Sequence, residues 1–426
     1  MDFLSDLAWR GQIYQETDPE GLRAHLASGV RRAYCGFDPT ASSLTIGNLV
    51  PLLMLARLQR AGHVPVVVFG GGTGLIGDPS GKDSERQLLS AAQIEANIAG
   101  QRPIFERILD LEGPRAALLA DNAEWLGKLS WLEALRDVGK HFSVNMMIQK
   151  DSVRSRLESR EHGISYTEFS YMLLQAYDFL WLHEHRGVTI ELAGSDQWGN
   201  IVAGIDLIRR VRQAAAYGLT APLVTRADGG KFGKTETGAI WLTADRTSPY
   251  ALYQFWLNAA DADVPGFLRT FTFLGEAEIA GLLADHAARP SERTAHRALA
   301  RHVTELLHGA SGLADAEAAT AALFSGQVQG LSRQALADAF HGVPEAVLPR
   351  TSLAGDGLGA VELLVEAHVV KSKREARDLL AAGAISLNGQ LLPADGRLKE
   401  EGLLHGELAL LRRGKKSWHV ARFPAG

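Results

Sequence analysis

The chain has 426 residues, 46% hydrophobic and 22% charged, with a net charge of −5 and one cysteine, Cys35. At roughly 150 residues per domain this makes two or three globular domains, and the composition excludes collagen, a coiled coil and a disordered tail. The charge gives no bulk basic character, one cysteine excludes a disulfide framework or a Cys-based zinc site, MDFLSDLAWRG lacks a secretory pattern, and no apolar run is long enough to span a membrane. A cytoplasmic multidomain protein is expected.

From about 30 to 220, short apolar runs alternate with helical patterns. Arg32–Phe37, Val64–Phe69 and Val188–Ala193 read as buried strands, and Leu49–Gln59, Glu168–Leu182 and Asn200–Gln213 as helices. That alternation predicts an α/β domain with a parallel sheet. Residues 223–245 read as a loop. Tyr250–Asn258, Glu292–His308 and Ala314–Leu323 continue as amphipathic helices, and TSLAGDGLG, 351–359, reads as a linker.

The tail differs in charge. Residues 358–426 hold 11 basic and 8 acidic residues, +3, against 33 basic and 41 acidic, −8, in the remainder. Ser372-Lys373-Arg374-Glu375 predicts a capping box, Gly383 a helix stop, and Asn388-Gly389 a hairpin turn. Lys373, Arg374 and Arg377 crowd the helix start, where phosphate meets free backbone N–H groups. Arg412, Arg413, Lys415 and Lys416 form a second basic cluster in a turn.

Four loops follow strands or join domains. Gly72–Gly77 matches the dinucleotide fingerprint, but Pro79 stands where that motif needs a continuing helix, and the spacing also fails a P-loop. What remains is a glycine loop carrying Asp78, Lys82 and Arg86 at a strand's C-terminal end, where open α/β sheets bind ligands. Tyr34-Cys35-Gly36-Phe37-Asp38-Pro39-Thr40 leads to Thr45-Ile46-Gly47-Asn48 at a helix start, a ready anion site. Asp196 and Gln197 follow the third strand. Lys231-Phe232-Gly233-Lys234-Thr235 puts paired lysines on a glycine-containing loop, which suits a polyphosphate. Tyr171, Gln175 and Asp178 line up at i, i+4 and i+7 on an otherwise apolar helix. Buried polar groups must be satisfied, so these three are expected to bond to each other or to a ligand.

In order, YCGFDPT, GLIGDPSGK, GKHFSVNMMIQKD, ISYTEFSYMLLQAYDF, GSDQWGNI, KFGKTETGAIWL and TSPYALYQFW make the chain resemble the bacterial tyrosyl-tRNA synthetases over essentially its whole length, and the tail resembles the RNA-binding module shared with ribosomal protein S4. The resemblance implies a Rossmann-like catalytic domain over 1–245, an α-helical anticodon-side domain over 246–350 and a small S4-like α+β RNA-binding domain over 351–426, assembled as a homodimer. It implies the substrates L-tyrosine, ATP and tRNA-Tyr, with Mg2+ accompanying ATP and pyrophosphate and no tightly bound protein-liganded metal. By the family pattern Tyr34 and Asp178 bind the phenol. Asp78, Tyr171, Gln175 and Thr73 surround the ammonium group, and Gln197 the carboxylate. Cys35, Gly36, Asp38, Gly47, Asp196 and Lys234 lie on the ATP and adenylate side. Thr40, Thr45, Asn48, Lys82, Arg86, Lys231, Lys234 and Thr235 act on the phosphates. Lys373, Arg374, Arg377, Arg412, Arg413, Lys415 and Lys416 face tRNA.

One block departs from the pattern. The class I signature is His-Ile-Gly-His, and here it reads Thr45-Ile46-Gly47-Asn48. Thr40 and Thr45 hydroxyls, with the N–H groups of the helix start, are expected to replace the missing imidazole contact. The competing readings are a non-enzymatic RNA-binding paralogue, resting on Thr45 and Asn48; a dinucleotide oxidoreductase, resting on Gly72–Gly77; and the tryptophan-specific sibling, disfavoured by Tyr34 and Asp178.

Overall fold

The computed structural model describes residues 2–80, 88–150, 153–154, 157, 164–227, 229, 232–235, 238–414 and 417–424; the side chains of Lys234, Thr235 and Phe324 are outside this description. Contacts divide the chain into two compact units, residues 1–247 with 256–307 and residues 248–255 with 308–426.

The first unit is built on a six-stranded sheet. Its strands are β1 (Gln15–Glu16), β2 (Arg32–Phe37), β3 (Val64–Phe69), β4 (Leu118–Asp121), β5 (Val188–Gly194) and β6 (Tyr217–Ala221). They lie in the order β1-β6-β5-β2-β3-β4. All pairs are parallel except the short β1–β6 edge. β3 is buried at every residue, as a parallel strand covered on both faces must be, which explains its unbroken apolar sequence. The chain runs outward from β2 to β4 on one side and from β5 to β6 on the other. The order reverses between β2 and β5, and a crevice opens there at the strands' C-terminal ends.

Four helices position the site: α1 (Leu49–Arg60), α2 (Ala91–Ile108), α3 (Tyr166–Arg186) and α4 (Trp198–Arg212). α3 starts at Ser165, whose side chain accepts from the Glu168 N–H, and stops at Gly187, φ 62°. α2 and β4 go beyond the elements read from sequence; Pro103 inside α2 interrupts the usual helical signature.

Helices Val264–Phe271 and Glu276–Ala288 pack into the same unit. The buried Arg57 guanidinium donates to the carbonyls of Thr270 and Thr272, both at 2.9 Å, and Arg10 to those of Arg269, Thr272 and Leu274. Carbonyls left open at a helix C-terminus are natural partners for such cations. Asp6 pairs with both arginines. Burial still lowers Arg57 to about 9.

In the second unit, a five-stranded sheet runs Gln390–Leu391, Ile385–Leu387, Leu408–Arg413, Ser417–Arg422, Glu345–Val347. The last pair is parallel and the others antiparallel. Leu387 pairs with Gln390 across a two-residue turn with Asn388 at φ 49° and Gly389 at φ 85°, the geometry that an Asn-Gly hairpin requires. Two expectations are corrected. Residues 351–359 are no linker: Leu353 and Leu358 are buried in the core, and Leu358–Gly359 pairs with Arg397–Leu398. The capping box is half formed. Ser372 accepts from the Glu375 N–H, but the Glu375 carboxylate accepts from Lys371 rather than from Ser372.

Candidate active site

A cavity of about 620 Å³ fills the crevice between β2 and β5. β2 contributes Tyr34 and Cys35 and is followed directly by Asp38; the turn after β3 contributes Thr73 and Asp78; the turn after β5 contributes Asp196 and Gln197. α3 reaches across with Tyr171, Gln175 and Asp178, and Gly36, Thr40, Thr45, Gly47 and Asn48 line the other end. One cavity thus gathers residues far apart in the chain. Lys82, Arg86 and Lys231 lie outside the described residues. Lys234 and Thr235 form a short strand with Gly238–Ala239.

The three polar side chains of α3 bond to protein groups on other elements, a third possibility that the sequence expectation of bonding to each other or to a ligand did not include. Asp178 accepts from Asn122 Nδ2 at 2.9 Å and from Trp125 Nε1 at 2.6 Å. Gln175 Nε2 donates to Glu191 at 2.9 Å, and Tyr171 Oη donates to Asp38 at 3.2 Å. All three partner sets come from other elements. Asn122 does more: its oxygen accepts from the Gly72 N–H at 2.7 Å, and its Nδ2 also donates to Thr73 Oγ1 at 3.0 Å. One amide therefore ties the glycine loop to α3. Thr73 Oγ1 in turn donates to Asp38 at 3.0 Å.

Asn122, Trp125, Glu191, Asn200 and Lys150 escape the sequence reading. For Asn122 a signal exists: it directly follows the short strand LLAD, at its C-terminal end. Glu191 sits in the run TIELAG, where one acid reads as an outward-facing residue. It is instead 2% exposed, like Tyr34.

Tyr34 Oη and Glu191 Oε2 are buried and make no hydrogen bond of ordinary geometry among the described residues, but they face each other closely enough that the phenol lowers the proton affinity of Glu191 and Glu191 raises that of Tyr34. Burial raises Glu191 to about 7, against the opposing hydrogen bond from Gln175. Burial raises Asp178 to about 8, against those from Asn122 and Trp125. Burial and neighbouring acids hold Tyr34 and Tyr171 well above the ordinary phenol value, and burial pushes the Cys35 thiol up. Lys150 Nζ donates to the Gly199 carbonyl at 2.5 Å; burial lowers it to about 8 despite the pull of Glu191. Asp38, Asp78 and Asp196 line the same wall and favour a cationic group.

At the helix start Thr45 and Asn48 bond to each other. Asn48 Oδ1 accepts from the Thr45 N–H at 3.0 Å and from Thr45 Oγ1 at 2.8 Å. The backbone donor fixes the amide orientation, so Asn48 Nδ2 is the outward donor. The expectation that the Thr45 hydroxyl meets phosphate directly is corrected: its proton is engaged. Next to this turn, the Ile46 N–H donates to the Ile240 carbonyl and the Ile240 N–H to the Gly233 carbonyl. Gly233 has φ +76°, and a side chain there would come within 2.5 Å of Ile46 Cγ2. The Thr45–Asn48 turn and the lysine loop are therefore held together by backbone.

Away from the cavity, Asp261, His286 and His296 bring three possible metal-ligand atoms within 4.8 Å of one another. Both histidines bury an Nδ1 without a partner among the described residues, so neither ring has the outer hydrogen bond that usually orients a ligating imidazole.

In the tail, Lys373, Arg374 and Arg377 are exposed. Lys373 pairs with Glu362 at 3.1 Å and Arg413 with Glu375 at 3.0 Å, while Arg412 lies over the Trp418 ring. Lys415 and Lys416 lie outside the described residues.

Residues 28–325 match the model for tRNA synthetases class I (W and Y), and residues 335–421 the tyrosine–tRNA ligase SYY-like C-terminal domain. The chain is 51% identical over 421 residues to a tyrosine–tRNA ligase of Roseiflexus castenholzii, covering 98% of this chain and 99% of that one. It is 49% identical over 426 residues to that of Geobacillus kaustophilus, covering 99% and 100%. Among solved structures, a C-terminally truncated mitochondrial tyrosyl-tRNA synthetase of Aspergillus nidulans superposes with a TM-score of 0.69 at 30% identity, over 76% of this chain and 94% of that one. A crevice at the sheet's switch point, lined by these residues, and matches of this extent from end to end lead to one conclusion: the chain belongs to the tyrosine–tRNA ligase family of class I tRNA synthetases.

Proposed function

We infer that this chain activates L-tyrosine with ATP, forming tyrosyl-adenylate and pyrophosphate, and then transfers the tyrosyl group to the 3′-terminal adenosine of tRNA-Tyr. The observation that carries the reading is the buried end of the cavity, where the Tyr34 hydroxyl and the Asp178 carboxylate share one apolar surround. A phenol can both donate to and accept from such a pair. Phenylalanine would offer the Tyr34 hydroxyl no polar partner, at about 1–3 kcal/mol, while Asp178 would keep only its Asn122 and Trp125 donors.

The tyrosine carboxylate attacks the α-phosphorus of ATP, and pyrophosphate leaves with its bonding electrons. No protein nucleophile is needed, so the protein's work is positioning and charge stabilisation. Asp78, Tyr171, Gln175 and Thr73 are assigned to the ammonium group, Gln197 to the carboxylate, and Cys35, Gly36, Asp38, Gly47 and Asp196 to the adenylate. Thr40, Asn48, Lys82, Arg86, Lys231, Lys234 and Thr235 are assigned to the phosphates, with Thr45 acting through Asn48. Mg2+ accompanies ATP and pyrophosphate, neutralising phosphate charge.

We assign adenylate chemistry to residues 1–245, the helices of 246–350 to the anticodon side, and tRNA binding to 351–426; strand Glu345–Val347 travels with the last of these. Lys373, Arg374, Arg377, Arg412, Arg413, Lys415 and Lys416 meet the tRNA backbone in this reading, and the active form is a homodimer, which light scattering would test. No described helix is long and apolar enough to cross a membrane. Tyrosine-dependent exchange of labelled pyrophosphate into ATP tests the activity. Exchange supported equally by tyrosine and phenylalanine, or by neither, would overturn the assignment.

A further inference from the structure

Two carboxylates bracket a row of three side-chain amides along the cavity wall. At one end, Glu191 on β5 accepts from Gln175 Nε2 at 2.9 Å. At the other, Asp78 accepts from Gln197 Nε2 at 2.7 Å, and the same nitrogen lies 3.2 Å from Asp196. Between them, Asn200 Nδ2 lies 3.1 Å from Gln175 Oε1 and 3.1 Å from Gln197 Oε1. Each terminal carboxylate oxygen accepts from the Nε2 it faces, and above about pH 7, where Glu191 is ionised, it can only accept, so each end demands a nitrogen. Both glutamines must then turn their oxygens inward, where the two hydrogens of one Asn200 amide satisfy them. The row has one self-consistent direction, and its ends set it.

That direction matters for what the cavity offers a ligand. Gln175 lines the cavity, and with an N–H committed to Glu191 the atom it can add to a cation is its oxygen. A flipped Gln175 would present N–H groups to the same cation and repel it. The acid itself is costly: Glu191 is buried, and one of its oxygens makes no hydrogen bond of ordinary geometry among the described residues. A side chain present for packing alone would not need a carboxylate there.

We propose that Glu191 is a positioning residue: by accepting from Gln175 Nε2 it orients the amide row so that Gln175 presents its oxygen, beside Asp78, to the α-ammonium group of the amino-acid substrate. The proposal rests on the reading of this cavity as a tyrosine site.

Two inhibitors separate the ammonium end from the rest of the pocket: tyramine, which keeps the ammonium group and lacks the carboxylate, and para-hydroxyphenylpropionate, which does the reverse. In the full-length chain, Glu191→Leu should weaken tyramine and raise the tyrosine KM about tenfold, the size of one lost charge-linked hydrogen bond, with kcat within about threefold. Binding of para-hydroxyphenylpropionate should weaken clearly less than that of tyramine, within about threefold, since its carboxylate contact is untouched and its phenol loses only the influence of Glu191 on Tyr34. Glu191→Gln keeps an acceptor oxygen for Gln175 and should restore tyramine affinity to within about threefold. Equal weakening of both inhibitors, or a glutamine variant as weak as the leucine one, overturns the proposal. Should Glu191→Leu fail to fold by thermal melting, Glu191→Met makes the same comparison with an unbranched side chain, and the glutamine variant must still bind tyramine. A wild-type chain without tyrosine-dependent exchange would instead sink the tyrosine-site reading itself; a wild type that exchanges, with Glu191 variants blind to the ammonium group, sinks only this proposal.

Discussion

Asp178 illustrates how a single side chain can serve binding and stability together. Both its oxygens hold buried donors, Asn122 Nδ2 and Trp125 Nε1. Asp178→Ala strands both donors, at about 1–3 kcal/mol each, so it should lose about 2–6 kcal/mol of folding stability in urea titrations as well as tyrosine activation. Asp178→Asn, which keeps one acceptor, should lose less. An alanine variant of wild-type stability would mean that these donors find water instead. Thr45 and Asn48 call for a different measurement because they act as a pair. Removing the donor that meets phosphate should slow adenylate formation about tenfold or more, so Asn48→Ala is the severe change and Thr45→Ala acts by loosening Asn48. Pre-steady-state rates of both single variants and the double should show coupling of about 0.5–3 kcal/mol, as expected for residues sharing two hydrogen bonds. Strict additivity would make Thr45 a helix cap unrelated to Asn48.

Elements join the chemistry through backbone contacts. Phe232 sits among Trp256, Phe267 and Phe271, with ring centroids 5.9, 4.9 and 5.3 Å away, so the lysine loop is anchored by one aromatic residue. One residue on, Gly233 combines φ +76° with the close approach of Ile46. Gly233→Ala faces both the left-handed backbone cost, about 1–2 kcal/mol, and the clash. It should lower kcat for adenylate formation about tenfold by shifting the loop against the Thr45–Asn48 turn. Adding Ile46→Ala removes the clash but not the backbone cost, so partial rescue is expected. Full rescue, or none, would show that one of the two causes is absent. Much of this was legible beforehand: the lysine loop, its glycine and the signature turn all stand out in sequence. Their mutual contact did not, because Ile46 and Gly233 are distant in the chain and carry no local mark of pairing.

For the molecule as a whole, two buried acids link stability to pH. Asp178 rises from 3.8 to about 8 and Glu191 from 4.5 to about 7 on folding. Between those limits the native state holds protons that the unfolded chain has released, so the contribution is full at acid pH and is lost as pH rises through the folded values. Each group adds at most about 1.4 kcal/mol per pH unit to that fall. Stability measured by urea at about pH 5 and about pH 8 should drop less across the interval in Asp178→Asn than in wild type. An identical drop would show that Asp178 is ionised throughout. The second unit sets a limit on dissection. Leu336 and Phe340 share a core with Leu408, Leu410, Trp418 and Val420, and Glu345–Val347 pairs with Ser417–Arg422. A chain ending after Gly355 leaves that core open, so it should form tyrosyl-adenylate but fail to charge tRNA, and should bind a hydrophobic dye more than the full chain does. Loss of adenylate formation in a folded truncation would argue against separable functions.

Local pattern alone carried the strands β2, β3 and β5, the helices α1, α3 and α4, and the Asn388-Gly389 hairpin. Buried parallel strands are continuous apolar runs, helices repeat every 3.6 residues, and an Asn-Gly turn needs no distant partner to be recognised. The order of motif blocks along the chain carried the family. Tertiary structure alone decided which polar groups meet. It gave Asp178 its Asn122 and Trp125 donors, turned Glu191 inward to head a row of amides, engaged the Thr45 hydroxyl with Asn48, and drew residues 256–307 into the sheet unit through Arg10 and Arg57. Periodicity records which face of an element is apolar. The partner of a buried polar atom depends on side chains brought from far along the chain, where desolvation makes every unmatched donor or acceptor costly and so selects one arrangement.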